Sequence, residues 1–271
     1  MTTTKKLLIF CLFLLVTAVP VKAKLPREEM HKLYNQANDA FRQANSTKKD
    51  SEQAERLYEK AILNFEKILE EGHIKNAKLY YNLANAYLLT GRLGKAILNY
   101  RKAAKIDDSD ENIQKNLAFA RSKRVDKIAI KTEKRILHTL FFWHYDFSLK
   151  TKFILTCIFF GVVCLCISAI IWFGRNNALT VSAIICGILM FCFLGSVVIE
   201  YKIQESQVSG VIIAKEVIAR QGDGDNYPPS FKESLHEGTE FDLLENRLGW
   251  LHIKLSDNSD GWIPENSAEL I

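Results

Sequence analysis

Outside its apolar segments this chain has no cysteine. All six, Cys11, Cys157, Cys164, Cys166, Cys186 and Cys192, lie within such segments, so the polar parts have neither a disulfide framework nor a thiolate metal site available. The six histidines are scattered, none four residues from another and none paired with cysteine, and no zinc pattern results. There is no G-x-S-x-G, no Walker loop and no carboxylate pair placed for catalysis. The expectation is a protein that is not an enzyme, has no cofactor or metal, and has no nucleic-acid partner.

Charge is missing from two long stretches. Phe153 to Phe173 and Ala178 to Ile199 contain no Asp, Glu, Lys, Arg or His. At about 1.5 Å per helical residue each is roughly 30 Å long, the thickness of a bilayer core. Only Gly174, Arg175, Asn176 and Asn177 separate them, so residues 153–173 and 178–199 are expected to form an antiparallel transmembrane hairpin. The polar parts before and after the pair then share one side of the membrane. Ala183 and Gly187, with Gly161, Ser168 and Ser182, are the expected close-contact positions.

The chain begins with Lys5 and Lys6, a 13-residue apolar stretch from Leu7 to Val19, and Val21-Lys22-Ala23. That order predicts a secretory signal over residues 1–23. It conflicts with the basic flank before the first apolar run, which the positive-inside rule assigns to the cytoplasm. Translocation starts before the hairpin emerges, so the signal is given precedence and both polar parts are expected outside the cytoplasm. Residues 24–152 hold 26 Lys and Arg against 17 Asp and Glu, and residues 206–271 hold 5 against 12. A basic front part faces an acidic tail part.

Residues 27–130 show a helical period and hardly a strand signal. Tyr80, Leu83, Ala84 and Tyr87 recur at i, i+3, i+4 and i+7; Gly91 interrupts; Ala96, Tyr100 and Ala103 resume. This stretch resembles the tetratricopeptide (TPR) repeat, whose period is 34. Asp108 stands where the repeat usually has proline, and Asp107 and Asp108 are expected to cap the next helix. Asn82-Leu83-Ala84 returns 34 residues later as Asn116-Leu117-Ala118, beginning a third unit that lacks a second helix. Residues 24–135 are thus expected to be an all-α solenoid with a capping helix. The second helix of its irregular first repeat fits either Ala54, Tyr58 and Ala61 or Ala61, Phe65 and Ile68, and the latter is preferred because Gly72 then closes the helix. On this register Tyr81, Asn82, Asn85 and Asn116 line the groove, where asparagine can hold the backbone of an extended peptide. Asparagines that bond neighbouring helices would be the alternative.

Arg121, Lys123, Arg124, Lys127 and Lys131 form a basic stretch suited to anionic lipid or to the acidic tail. Residues 136–152 are a juxtamembrane segment, with Phe141-Phe142-Trp143-His144-Tyr145 as an interfacial aromatic belt and with Lys150 and Lys152 snorkelling.

From residue 206 the pattern changes to short alternating segments, 211–220, 241–245, 250–255 and 261–264, read as strands between Gly, Pro, Asn and Asp clusters. The stretches Val211 to Arg220, Gly249-Trp250 and Gly261-Trp262-Ile263-Pro264 resemble a bacterial SH3-like (SH3b) domain over residues 206–271. The resemblance implies a small all-β barrel whose aromatics, here Tyr227, Trp250 and Trp262, hold a peptide or a cell-wall fragment. In order, these parts resemble the BatE-type proteins of the aerotolerance operon family. That resemblance implies a periplasm-facing scaffold in the bacterial inner membrane, partnered by von Willebrand A-domain proteins and a MoxR-type ATPase. Peptidoglycan binding or sensing is the alternative it leaves.

Overall fold

The computed structural model describes residues 25–48, 51–128 and 140–271. The expected signal over residues 1–23 lies outside the described residues, as does Lys131 of the basic stretch. Five helices come first: α1 (Arg27–Ser46), α2 (Glu52–Gly72), α3 (Ala77–Leu89), α4 (Leu93–Ile106) and α5 (Glu111–Ser122). They pack in sequence, α1 on α2 and α3 on α4, then α2 on α3 and α4 on α5. Ala61, Phe65, Leu83, Ala84, Tyr87, Ala96, Tyr100 and Ala103 are all buried. The alanines let the helix axes approach and the aromatic rings fill the space beside them.

Side chains open these helices. Ser51 Oγ accepts from the Ala54 N–H, Asn76 Oδ1 from Leu79, and Asp110 Oδ1 from Asn112 at 2.8 Å. The α5 cap is therefore Asp110, not the expected Asp107 or Asp108. Asp107 is turned onto Ser109, and Asp108 accepts from the Leu149 N–H at 2.7 Å. Gly91, at φ 73°, takes the left-handed position after α3 as expected. At the end of α2 that position belongs to His73, at φ 48°. Gly72 answers a different need, since a Cβ there would stand 2.9 Å from Met30 Sδ.

α6 (Phe142–Tyr145) leads into α7 (Leu149–Phe173), and α8 (Asn177–Ser206) returns antiparallel to it. Leu149–Phe173 and Asn177–Lys202 are long and apolar enough to cross a membrane. Both helices extend beyond the charge-free runs, because Lys152 and Glu200 pair with each other at the open end. Lys152 does not snorkel: it is 1% exposed and also donates to the His144 carbonyl. The seam is aromatic, with Phe193 stacked between Phe147 at 6.1 Å and Phe159 at 5.9 Å. Nothing stands within 4 Å of a Cβ placed at Gly161 or Gly187, so these glycines are outside the seam.

The tail forms seven strands: β1 (Ser209–Ile212), β2 (Glu216–Val217), β3 (Leu235–His236), β4 (Glu240–Arg247), β5 (Trp250–Lys254), β6 (Asp260–Pro264) and β7 (Ala268–Leu270). An antiparallel sheet of order β6-β5-β4-β1-β7 is accompanied by the ribbon β2-β3. The segment expected as one strand from Val211 to Arg220 is broken into β1, β2 and isolated bridges from Arg220 to Pro229 and to Trp262. Ile212, Phe241, Leu251, Ile253 and Ile263 make the core of this module. Val211 points the other way and belongs to the core of the helical repeats, joined by Ile213 and Ile271. Alternation along β1 thus divides neighbouring residues between two cores.

Candidate functional site

α3 and α5 carry the row expected to line the groove. Asn116 Nδ2 donates to Tyr81 Oη at 3.0 Å and to Asn85 Oδ1 at 2.9 Å, and the Tyr100 hydroxyl donates to the same Asn85 oxygen. Burial pushes the Tyr100 phenol up, and the neighbouring Tyr81 adds to that, so Tyr100 stays a proton donor at any ordinary pH. Asn85 and Asn116 are in this way drawn together as a bond between successive repeats. Asn82 is half-buried and its side chain makes no hydrogen bond among the described residues. Its amide keeps its full donor and acceptor capacity.

The basic stretch meets the sheet module at one carboxylate. Glu240, at the start of β4, receives Arg121 through Nε and Nη2, both at 2.7 Å, and Arg124 through Nη1 at 3.1 Å. Arg101 of α4 completes the cluster and also donates to Ser209 Oγ at 3.1 Å. Burial opposes ionisation of Glu240, but hydrogen bonds and charge from Arg121, then Arg101, overrule it and lower its pKa to about 2. Lys123 instead lies over the Phe119 ring at 5.0 Å, and Lys127 is exposed.

A second carboxylate works in the opposite direction. Asp126, the acid inside the basic stretch, accepts from the His236 N–H at 2.7 Å, meets His236 Nδ1 at 2.8 Å and receives the Thr239 hydroxyl. Glu237 Oε2 accepts from the Gly94 N–H at 3.0 Å near the start of α4. Gly94 and Gly238 let the backbones meet. A Cβ on Gly94 would be 2.5 Å from the Ile212 carbonyl, and one on Gly238 2.9 Å from Ile97 Cδ1. Arg101, Asp126, Glu237 and Gly94 escaped the sequence reading, since their partners lie more than 100 residues away and no local pattern marks them.

The three aromatics of the sheet module differ. Tyr227 is exposed and rests on the backbone of Gly222, and Trp250 is half-buried. Trp262 is buried, with His252 stacked on it at 4.6 Å and Arg247 over its ring at 5.3 Å. Of the three, only Tyr227 and Trp250 leave ring surface open to solvent to any extent.

Residues 31–109 match the tetratricopeptide repeat family. That is a repeat of protein-interaction modules, and the match runs from within α1 to just past α4. No curated protein matches the chain.

Proposed function

We propose that this protein is a membrane-anchored scaffold for protein–protein interaction, of the kind represented by the BatE-type proteins of the aerotolerance operon family. In this reading the α7–α8 hairpin sits in the bacterial inner membrane. The repeats (24–135) and an SH3-like barrel (206–271) both stand on its periplasmic side. The observation that carries the reading is the join itself. An interaction repeat shares a hydrophobic core with a second small module, at the open end of a hairpin suited to a bilayer. Such a body is built to present two binding surfaces in fixed relation, one along α3 and α5 and one around Tyr227 and Trp250.

The partner segment lies along Tyr81 and Asn82, with the Asn85–Asn116 pair setting the spacing of the helices beneath it. Expected partners are von Willebrand A-domain proteins of the same membrane, and through them a MoxR-type ATPase. Crosslinking and pull-down of the full chain from native membranes tests this. Asn82→Ala should reduce capture of the partner several-fold while its thermal midpoint stays that of the wild type. Capture unchanged by Asn82→Ala and by Tyr81→Ala would remove the groove from the function. Retention of the full chain on purified peptidoglycan, lost in Tyr227→Ala, would favour the wall-binding reading instead.

A further inference from the structure

The direction of the membrane can be read from the contacts between the soluble body and the hairpin. Asp108, just past α4, holds the N–H of Leu149, the first residue of α7. Seven residues earlier Arg101 is level with Ser209, and earlier still Gly94 lies against Ile212. So α4 runs towards the hairpin and β1 runs away from it. β4 is antiparallel to β1, with Ser209 opposite Asp242, and therefore runs back towards the hairpin.

β4 does not stop level with Ser209. It continues from Asp242 to Arg247, with one bulge, which at about 3.3 Å per residue is roughly 15 Å. From Arg101 to Asp108 the helical rise is only about 10 Å. The turn after β4, Leu248-Gly249, thus reaches the level at which α7 begins.

The chemistry of that turn is unusual. Leu248 is fully exposed and has φ 38°, a conformation in which hairpin turns use asparagine or glycine. Leu244 of the same strand is half exposed. The loop bearing exposed Tyr227 is held beside the turn by Arg247, which faces Asp223 at 3.8 Å. Arg220 and Arg247 face Asp223, Asp225 and Glu245, and the Glu265 N–H bonds the Gly249 carbonyl of the turn, so the end of the module carries a small net negative charge. An apolar tip flanked by amphipathic aromatics suits the interfacial layer of a bilayer.

We propose that the β4–β5 turn is a lipid-contact site, with Leu248 inserted into the same bilayer that α7 and α8 cross. The proposal rests on the reading of those helices as membrane spans. The tether keeps the turn at high effective concentration near the surface, so one apolar side chain suffices. The module then stands on the membrane at a third point, beside the two ends of the hairpin.

The test places a benzophenone amino acid at single positions of the full chain reconstituted in neutral phosphatidylcholine bilayers. The positions are Leu248, Ile171 in α7, and Asn258 in the turn at the far end of β5. Lipid adducts, read by mass spectrometry, are expected at 248 and 171 and not at 258, with yields indifferent to salt. Adducts at 171 but none at 248 would overturn the contact while leaving the spans in place. Adducts at neither position would overturn the span reading, and the contact with it. Crosslinking of position 248 to another protein in native membranes, in place of lipid, would also overturn the proposal.

Discussion

At the scale of the residue, Glu240 decides how the two soluble modules are held together. Its carboxyl falls from an ordinary 4.5 to about 2 in the folded chain. A depressed carboxyl contributes stability that is complete above its unfolded pKa and is lost as pH falls towards the folded one. The wild-type thermal midpoint should therefore be flat above about pH 5 and fall between about pH 5 and pH 2. Glu240→Gln should have a lower midpoint near neutral pH and a shallower acid limb. Its guanidinium partners are 27% to 38% exposed, so solvent screening should hold the loss to roughly 1–3 kcal/mol, below that of a fully buried pair. Parallel acid limbs for the two proteins, measured by thermal unfolding against pH, would show that Glu240 is not the titrating group. Asp126 shifts in the same direction: burial resists its ionisation, and the Thr239 and His236 hydrogen bonds overcome that. The glutamine variant should accordingly keep part of its acid sensitivity.

At the scale of the element, α4 is both a repeat helix and a docking surface. Its inward face packs Ala96, Tyr100 and Ala103 against the repeats, and Gly94, Ile97 and Arg101 meet the sheet module. Those two demands conflict at Gly94. Helix propensity favours alanine over glycine by up to about 1 kcal/mol. Contact with the Ile212 carbonyl at 2.5 Å forbids the extra atom, and overpacking typically costs about 1–3 kcal/mol. Gly94→Ala is expected to destabilise the protein, whereas Gly91→Ala, with open space around it but φ 73°, should destabilise through backbone strain alone and leave the interface intact. A Gly94→Ala protein more stable than wild type in thermal unfolding would mean that β1 does not lie on α4. Local pattern had much to say about this element, since its buried positions follow the repeat signature. It had nothing to say about Gly94, because a glycine near a helix start reads as an ordinary weak position until its distant neighbour is known.

At the scale of the whole molecule, the repeats and the sheet module form one body, since Val211 lies in the core of the repeats and Glu240 lies among their arginines. A purely electrostatic contact would weaken in about 1 M salt, where the Debye length is about 3 Å. The shared apolar core should resist it. The two modules are expected to unfold in a single transition at low and high salt, followed by circular dichroism for the helices and, with Trp143→Phe and Trp172→Phe in place, by the fluorescence of Trp250 and Trp262 for the sheet. Two separated transitions would divide the body and return the modules to independent tethered units. What the sequence determined by itself was what neighbouring residues carry: the repeat helices, the apolar cores of α7 and α8, the alternation of β5 and the opposed charge of the two polar parts. Strand breaks within residues 211–220, the cap at Asp110 and the pairing of Lys152 with Glu200 came only with the tertiary structure. So did the choice of Glu240 among the twelve acidic residues of the tail. The reason is physical: local periodicity is written into neighbouring residues, but a contact between Arg121 and Glu240 exists only once two folded surfaces have met.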